Sequence, residues 1–141
     1  MERIKNLFIA AIVLVTTFGI NITYADEIPV NVLITPQNVS FEYCTQNFNL
    51  TPEKLFYLSL ASINANNFET IEIQSKTGYI LFRATNKEFL ASIIRLGAQK
   101  SMLKITPTDG IYYFAPGIVT NIFKYINLNI EAPLTQIKST K

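Results

Sequence analysis

A largely apolar run near the start of the chain differs from the periodic patterns that follow it. The run occupies residues 7–20, two basic residues precede it, and Ala25 comes directly before Asp26. A helix of about 14 residues spans roughly 21 Å, which is less than the roughly 30 Å hydrocarbon core of a bilayer. The pattern therefore predicts a secretory signal peptide over residues 1–25, with cleavage between Ala25 and Asp26.

An uncleaved signal is the alternative interpretation of the same segment. Residues 7–22 would then stay in the bilayer, with Arg3 and Lys5 holding the cytoplasmic end. Both interpretations place the rest of the chain on the far side of the membrane. We therefore expect an exported protein that is periplasmic or extracellular, or one that is membrane-anchored through this segment.

Residues 26–50 predict an extended leader with short strands. Pro29 and Pro36 lie on either side of an apolar group at 30–34, which is typical of an edge strand or an extended segment. Alternation at 41–45 predicts a second short strand that leads into the first helix of the domain.

That helix has clear start signals. Thr51 can cap the free amides, and Pro52 suits the first helical turn. Apolar residues recur at helical spacing and leave a narrow polar strip of Ser59, Ser62 and Asn66. We expect the helix to be mostly covered by the rest of the protein.

Four strands are predicted after this helix. Alternation favours strands at 68–74 and 79–84, separated by a turn. Residues 87–96 are compatible with either a strand or a helix. We favour a strand, because the turn at 97–100 would join it in a hairpin to a strand at 101–106.

The end of the chain completes the predicted fold. A short strand at 111–114 precedes a helix that opens at Pro116 and Gly117, and residues 130–141 lose periodicity and are expected to form a flexible tail. We therefore predict an α+β domain over 51–129. It comprises an antiparallel sheet of about four strands with two helices packed on one face, in the order α-β-β-β-β-α.

Composition narrows the possible chemistry. The chain has no histidine, the usual general base and commonest metal ligand, and its single cysteine, Cys44, is expected to be buried and inert. Without residues 1–25 there are ten basic and nine acidic side chains, since Arg3, Lys5 and Glu2 leave with the signal. This balance argues against nucleic acid as a partner. We expect no enzyme activity, no cofactor and no metal.

One segment resembles a known family. A helix ending at Asn67-Phe68, a strand, and then Thr77-Gly78-Tyr79-Ile80-Leu81 are similar to the repeated domain of BamC-type envelope lipoproteins, which accompany the assembly of outer-membrane barrels. The resemblance covers residues 52–126. It implies helices packed on one face of an antiparallel sheet. The lipid-bearing cysteine of that family is missing here, which argues against lipid anchoring and a role in barrel assembly. No functional residue is carried over from the resemblance.

Two functions are compatible with these patterns. In the first, the face of the second strand that carries Tyr79, Leu81 and Arg83, or an exposed sheet edge, binds an envelope protein or peptide. In the second, the protein is a small-molecule carrier with an aromatic-lined cavity. The aromatic residues Tyr79, Phe82, Tyr112, Tyr113 and Phe114 could line an apolar groove for a ligand or peptide. Filling of the core is the favoured interpretation of these residues. Glu69 and Glu72 are expected on opposite faces of their strand, which makes them a poor acid and base pair.

Overall fold

The computed structural model describes residues 30–138 of the 141-residue chain. The predicted signal peptide over 1–25, its cleavage point at Ala25 and Asp26, and the alternative anchor at 7–22 lie outside the described residues. Among residues 30–138, no helix is both long and apolar enough to cross a membrane.

The described chain forms a mixed α+β fold, as predicted. In chain order the elements are α1 (Val30–Ile34), β1 (Gln37–Asn38), a 3-10 turn (Glu42–Cys44), β2 (Thr45–Phe48), α2 (Pro52–Ala65), β3 (Glu69–Gln74), β4 (Tyr79–Ala84), β5 (Lys87–Gly97), β6 (Lys100–Pro107), β7 (Tyr113–Phe114), α3 (Gly117–Leu128) and α4 (Leu134–Lys138). A five-stranded antiparallel sheet has the order β2-β6-β5-β4-β3, and β1 pairs with β7 in a separate two-stranded sheet.

The strand assignment of the ambiguous segment 87–96 is confirmed. Strand β5 pairs with β4 on one side and with β6 on the other, so it occupies the centre of the sheet. A helix at this position would have left β4 and β6 without the strand that joins them in the sheet. The predicted hairpin with the following strand is also observed, with Ile93 opposite Leu103.

The predicted leader is part of the domain. The sheet has a fifth strand because β2 pairs with β6, with Phe48 opposite Ser101. Val39, Cys44, Phe48 and Leu50 are all buried in the common core. The strand predicted at 41–45 is wrong, because the 3-10 turn occupies most of it and extended backbone begins at Thr45.

Helix α1 replaces the strand or extended segment predicted for residues 30–34. The reason is a close contact with α3, whose first residue is Gly117. A Cβ atom at Gly117 would lie 2.8 Å from the carbonyl oxygen of Leu33. The absence of a side chain at this position lets the two helices approach through their backbones.

Helix α2 begins as predicted, with the Thr51 hydroxyl accepting a hydrogen bond from the amide of Lys54 at 3.2 Å. The polar strip on this helix is itself covered, since Ser59 and Ser62 are fully buried. The Ser62 hydroxyl donates to the carbonyl of Ile122 in α3 at 3.3 Å. The strip therefore joins two helices and does not face solvent.

The core lies between the helices and one face of the sheet, which we call the inner face. Ile80, Phe82 and Ala84 point into it, as predicted for β4. The rings of Phe68, Phe82, Phe89 and Phe114 form a continuous row, with successive centroid distances of 5.9, 5.5 and 5.1 Å. Aromatic pairs at these separations stabilise a core beyond simple burial.

The segment predicted as a flexible tail contains a short helix. Pro133 suits the start of α4, and its carbonyl accepts hydrogen bonds from Gln136 and Ile137. The side chain of Ile137 is buried in the core cluster, and α4 packs against α2. The prediction of a frayed end is therefore wrong for residues 134–138, because one buried side chain anchors them.

Candidate functional site

The three residues predicted to face a partner lie on one surface of the sheet. Tyr79 and Leu81 are half-buried and Arg83 is exposed, whereas Ile80 and Phe82, on the same strand, are fully buried. We call the surface that carries Tyr79, Leu81 and Arg83 the outer face. The helices pack against the opposite side.

Apolar side chains from three strands meet on the outer face. Leu81 lies opposite Leu90, and Ile94 lies opposite Met102. All four are half-buried, because cross-strand neighbours cover part of one another. Leu90, Ile94 and Met102 were not among the predicted residues, although their outward positions follow from the alternation of β5 and β6.

A polar row separates these two apolar pairs. It runs across four strands through Tyr79, Ser92, Lys104 and Thr45. Lys104 is half-buried. The outer face is therefore a mixed surface in which apolar pairs alternate with hydrogen-bonding groups, which is a composition common to protein contact surfaces.

A β-bulge places Glu69 and Glu72 on the same face, which contradicts the prediction for β3. The pairing register shifts between Thr70 and Glu72, so Glu69 lies opposite Arg83 and Glu72 opposite Leu81. Each extra residue in a bulge reverses the alternation of the side chains that follow. The prediction assumed a regular strand.

Glu72 forms hydrogen bonds on the outer face with two neighbours. Its carboxylate accepts from Gln74 at 3.0 Å and from the Tyr79 hydroxyl at 2.8 Å. The bonds from Gln74 and then Tyr79 lower the pKa of Glu72. The bond to this carboxylate in turn raises the pKa of Tyr79.

Arg83 lies between two carboxylates. Its guanidinium donates to Glu69 at 2.9 Å and to Glu88 at 2.8 Å. The bond to Glu88, followed by the field of Glu69, raises the pKa of Arg83. The positive charge of this arginine is therefore compensated within the protein, and the charged end of the outer face is acidic.

The aromatic residues proposed for a carrier cavity are not brought together. Phe82 and Phe114 are buried in the core, while Tyr79 lies on the outer face of the sheet. Tyr113 is exposed, and the Tyr112 ring packs edge-on against Phe41 at 6.3 Å. These five side chains do not line a common cavity.

The nucleophilic and metal-binding groups of the described chain are sparse. Within residues 30–138, no group of three or more acidic or cysteine side chains is close enough to hold a metal ion. Cys44 is a free, fully buried thiol. Desolvation by burial raises its pKa to about 11, which disfavours the reactive thiolate.

No protein-family model matches this sequence, and no curated protein matches it either. The resemblance of residues 52–126 to the BamC-type domain stays a prediction.

Proposed function

We propose that this protein is an exported, non-enzymatic module that binds another envelope protein or peptide through the outer face of its sheet. The observation that carries the proposal is the unequal covering of the two faces. The centre of the inner face is packed under the helices, with Phe82, Phe89 and Ile105 fully buried, while Leu81, Leu90, Ile94 and Met102 stay partly accessible on the outer face. Partly exposed apolar pairs separated by a polar row, on an exported domain, are typical of a protein contact surface.

The charges on the outer face indicate the chemistry of the partner. Around Arg83 the face carries Glu69, Glu72 and Glu88, so three carboxylates and one guanidinium leave a net charge of −2 in this region. A partner with apolar side chains and nearby basic residues complements such a surface. Complementary charge at the edge of a contact contributes mainly to the rate and specificity of association.

The export part of the proposal depends on the amino-terminal sequence. The apolar run at 7–20, followed by Ala25 and Asp26, supports cleavage before Asp26 and a periplasmic or extracellular location. Mass spectrometry of the protein from its native host tests this directly. We expect a chain that begins at Asp26. An intact mass that includes residues 1–25 would support the membrane-anchored alternative.

The binding proposal is tested with a charge-insertion variant and a matched control. Leu81→Glu combined with Leu90→Glu places two carboxylates in the apolar part of the outer face. The control Leu128→Glu makes one leucine-to-glutamate change at a leucine that is 75% exposed on α3. In crosslinking pull-downs from envelope fractions, we expect defined crosslinked species with the native protein and with Leu128→Glu, and their loss with the outer-face variant.

Circular dichroism on all three proteins verifies that the variants remain folded. Species that persist in the outer-face variant would contradict the proposal, and so would their loss in both variants.

A further inference from the structure

A polar cleft lies at one end of the inner face, away from the outer-face surface. It has a volume of about 490 Å³ and is bounded by the start of α2 and by the turn between β3 and β4. Its walls include Ser75, Lys76 and Thr77 from the turn and Arg95 from β5. The volume is within the range of small-molecule sites, which is roughly 300–1,000 Å³.

The two cations of this cleft have no protein partner. Within residues 30–138, neither Lys76 nor Arg95 forms an ion pair or a side-chain hydrogen bond. Arg83, the other arginine of this part of the chain, binds two carboxylates. Arg95 therefore differs from Arg83 in presenting an uncompensated charge to a concave surface.

The one carboxylate on the cleft wall is already neutralised. Glu53 forms an ion pair with Lys138 of α4 at 2.9 Å. The same Lys138 ammonium lies 4.6 Å from the centroid of the Tyr57 ring, which also borders the cleft. Lys138 of α4 thus neutralises Glu53. The net charge of the cleft is therefore determined by Lys76 and Arg95.

The turn that carries Lys76 is fixed against β5. The amide of Gly78 donates to Gln74 at 2.9 Å, and the amide of Ile93 donates to the Gly78 carbonyl at 2.7 Å. Gly78 has a φ of 75°, and a Cβ atom there would lie 3.2 Å from the Ile93 carbonyl oxygen. Glycine at this position therefore allows the turn to lie directly against the strand that leads to Arg95.

We propose that this cleft binds the phosphate group of a phosphate monoester. Two cations and the hydroxyls of Ser75 and Thr77 form a set of donors without a fixed acceptor. A phosphate monoester has three acceptor oxygens and a charge of about −1.5 to −2 at neutral pH, which matches this set better than a carboxylate does. The side chain of Tyr57 offers an aromatic wall for the organic part of the ligand.

The test uses the exported protein, isotope-labelled and titrated with phenyl phosphate while amide resonances are followed by NMR. We expect saturable shifts at residues 75–78 and at Arg95. In the variant Lys76→Gln combined with Arg95→Gln, we expect affinity to fall by about tenfold or more, because two charge-assisted contacts are lost. Lys100→Gln combined with Lys124→Gln removes two exposed cations outside the cleft and should leave affinity unchanged.

Two further probes define the ligand class. Benzoate carries the same ring with a carboxylate, and equal binding of benzoate would overturn the assignment to phosphate. Vesicles of phosphatidylcholine with phosphatidic acid test a lipid headgroup as the source. Binding to such vesicles without binding to phenyl phosphate, and its loss in the cleft variant, would identify a lipid phosphate as the ligand.

The absence of saturable binding with both phenyl phosphate and phosphatidic acid vesicles would overturn the proposal. A loss of affinity in the Lys100→Gln and Lys124→Gln control equal to that in the cleft variant would overturn it as well. The variants in this test leave the outer face unchanged. The outcome is therefore independent of the protein-binding proposal.

Discussion

The two faces of the central sheet differ in how far their apolar side chains are buried. On the inner face, four phenylalanine rings form a row with centroid separations between 5.1 and 5.9 Å, and Phe82 and Phe89 are fully buried. On the outer face, the equivalent positions of the same strands carry Leu81 and Leu90, which stay half-exposed. Neighbouring residues on one strand thus differ in whether their side chains are buried in the core or partly exposed to solvent.

If the outer face binds a partner as proposed, this difference separates stability from binding in the fold. Free energy from burial comes mainly from the inner face, because apolar area is fully removed from water only there. We expect the outer face to contribute little to stability and to accept substitutions without unfolding the protein. A surface with this freedom is suited to evolve toward a partner, and each prediction below tests whether the separation is real.

The largest expected effect comes from paired alanine substitutions on β4. Phe82→Ala removes a ring that stacks on both Phe68 and Phe89, and we expect the free energy of unfolding to fall by about 3–5 kcal/mol. Leu81→Ala, one residue earlier on the opposite face, should cost about 1 kcal/mol or less, because its side chain is only half-buried. Urea unfolding measures both values.

The milder substitution Phe82→Leu keeps this comparison measurable if the alanine variant does not fold. It preserves most of the apolar bulk but loses the stacking, at a cost of about 1–2 kcal/mol. A larger cost for Leu81→Ala than for Phe82→Leu would show that the outer face is also part of the stabilising core, and the separation between the faces would then be wrong.

The reactivity of the Cys44 thiol tests whether the helix-covered core excludes solvent. Burial raises the pKa of its thiol from 9.0 to about 11. Alkylation of the native protein near pH 8 should therefore be about a hundredfold slower than that of the urea-unfolded chain, from the smaller thiolate fraction alone. Mass spectrometry after timed treatment with iodoacetamide measures the two rates, and equal rates would contradict a closed interior.

The same raised pKa predicts a change of stability with pH. Between pH 9.0 and about 11, the unfolded chain loses the thiol proton while the folded chain retains it. The native protein therefore loses stability as pH rises through this window. Cys44→Ala removes that contribution, so the difference in unfolding free energy between the two proteins should be constant below pH 9.0 and should change only above it. Parallel curves throughout would show that the thiol titrates normally.

The elements that could be predicted are those with complete local signals. Helix α2 has the Thr51 cap, and β4 alternates over its full length, so both were correctly predicted along with the inward side chains of β4. The outward positions of Tyr79, Leu81 and Arg83 follow from the same alternation. Local periodicity determines such features because no distant contact opposes it.

The features that could not be predicted depend on distant contacts. Residues 30–34 are helical because the backbone of α1 packs on Gly117, which is more than 80 residues away in the chain. Helix α4 is held by the burial of Ile137 against α2. The shift at Thr70 and Glu72 in β3 arises from pairing with β4. None of these contacts has a signal within a short window of sequence.

The candidate site was predicted in part. The shared face of Tyr79, Leu81 and Arg83 on β4 was predicted, and their role in binding stays a prediction. The acidic groups beside them were missed, because a regular strand would have placed Glu69 and Glu72 on opposite faces and the bulge places both on the outer face. Lys76 lies in the turn between β3 and β4, and Arg95 lies in β5. Only the folded chain brings these two residues to one cleft.

The smallest expected effect concerns the hydrogen bonds of the outer face. In Tyr79→Phe, Glu72 loses the phenol donor but keeps the bond from Gln74, which is the larger cause of its lowered pKa. The pKa of Glu72 should therefore rise only part of the way toward its ordinary value of 4.5. NMR titration of the side-chain carboxyl measures the midpoint. Tyr113→Phe, at another exposed tyrosine, is the matched control and should leave it unchanged.

The effect of Tyr79→Phe on stability should depend on pH in a defined direction. A lowered pKa means that the Glu72 interaction stabilises the fold above the ordinary pKa of 4.5 and is lost as pH falls through the folded value. The variant should thus differ from the native protein more at pH 7 than at pH 3. Because the group is at the surface, the difference should be far smaller than that of Phe82→Ala. A large loss at pH 7 would mean that the outer-face hydrogen bonds support the sheet itself, and that this face is less free for a partner than its exposure indicates.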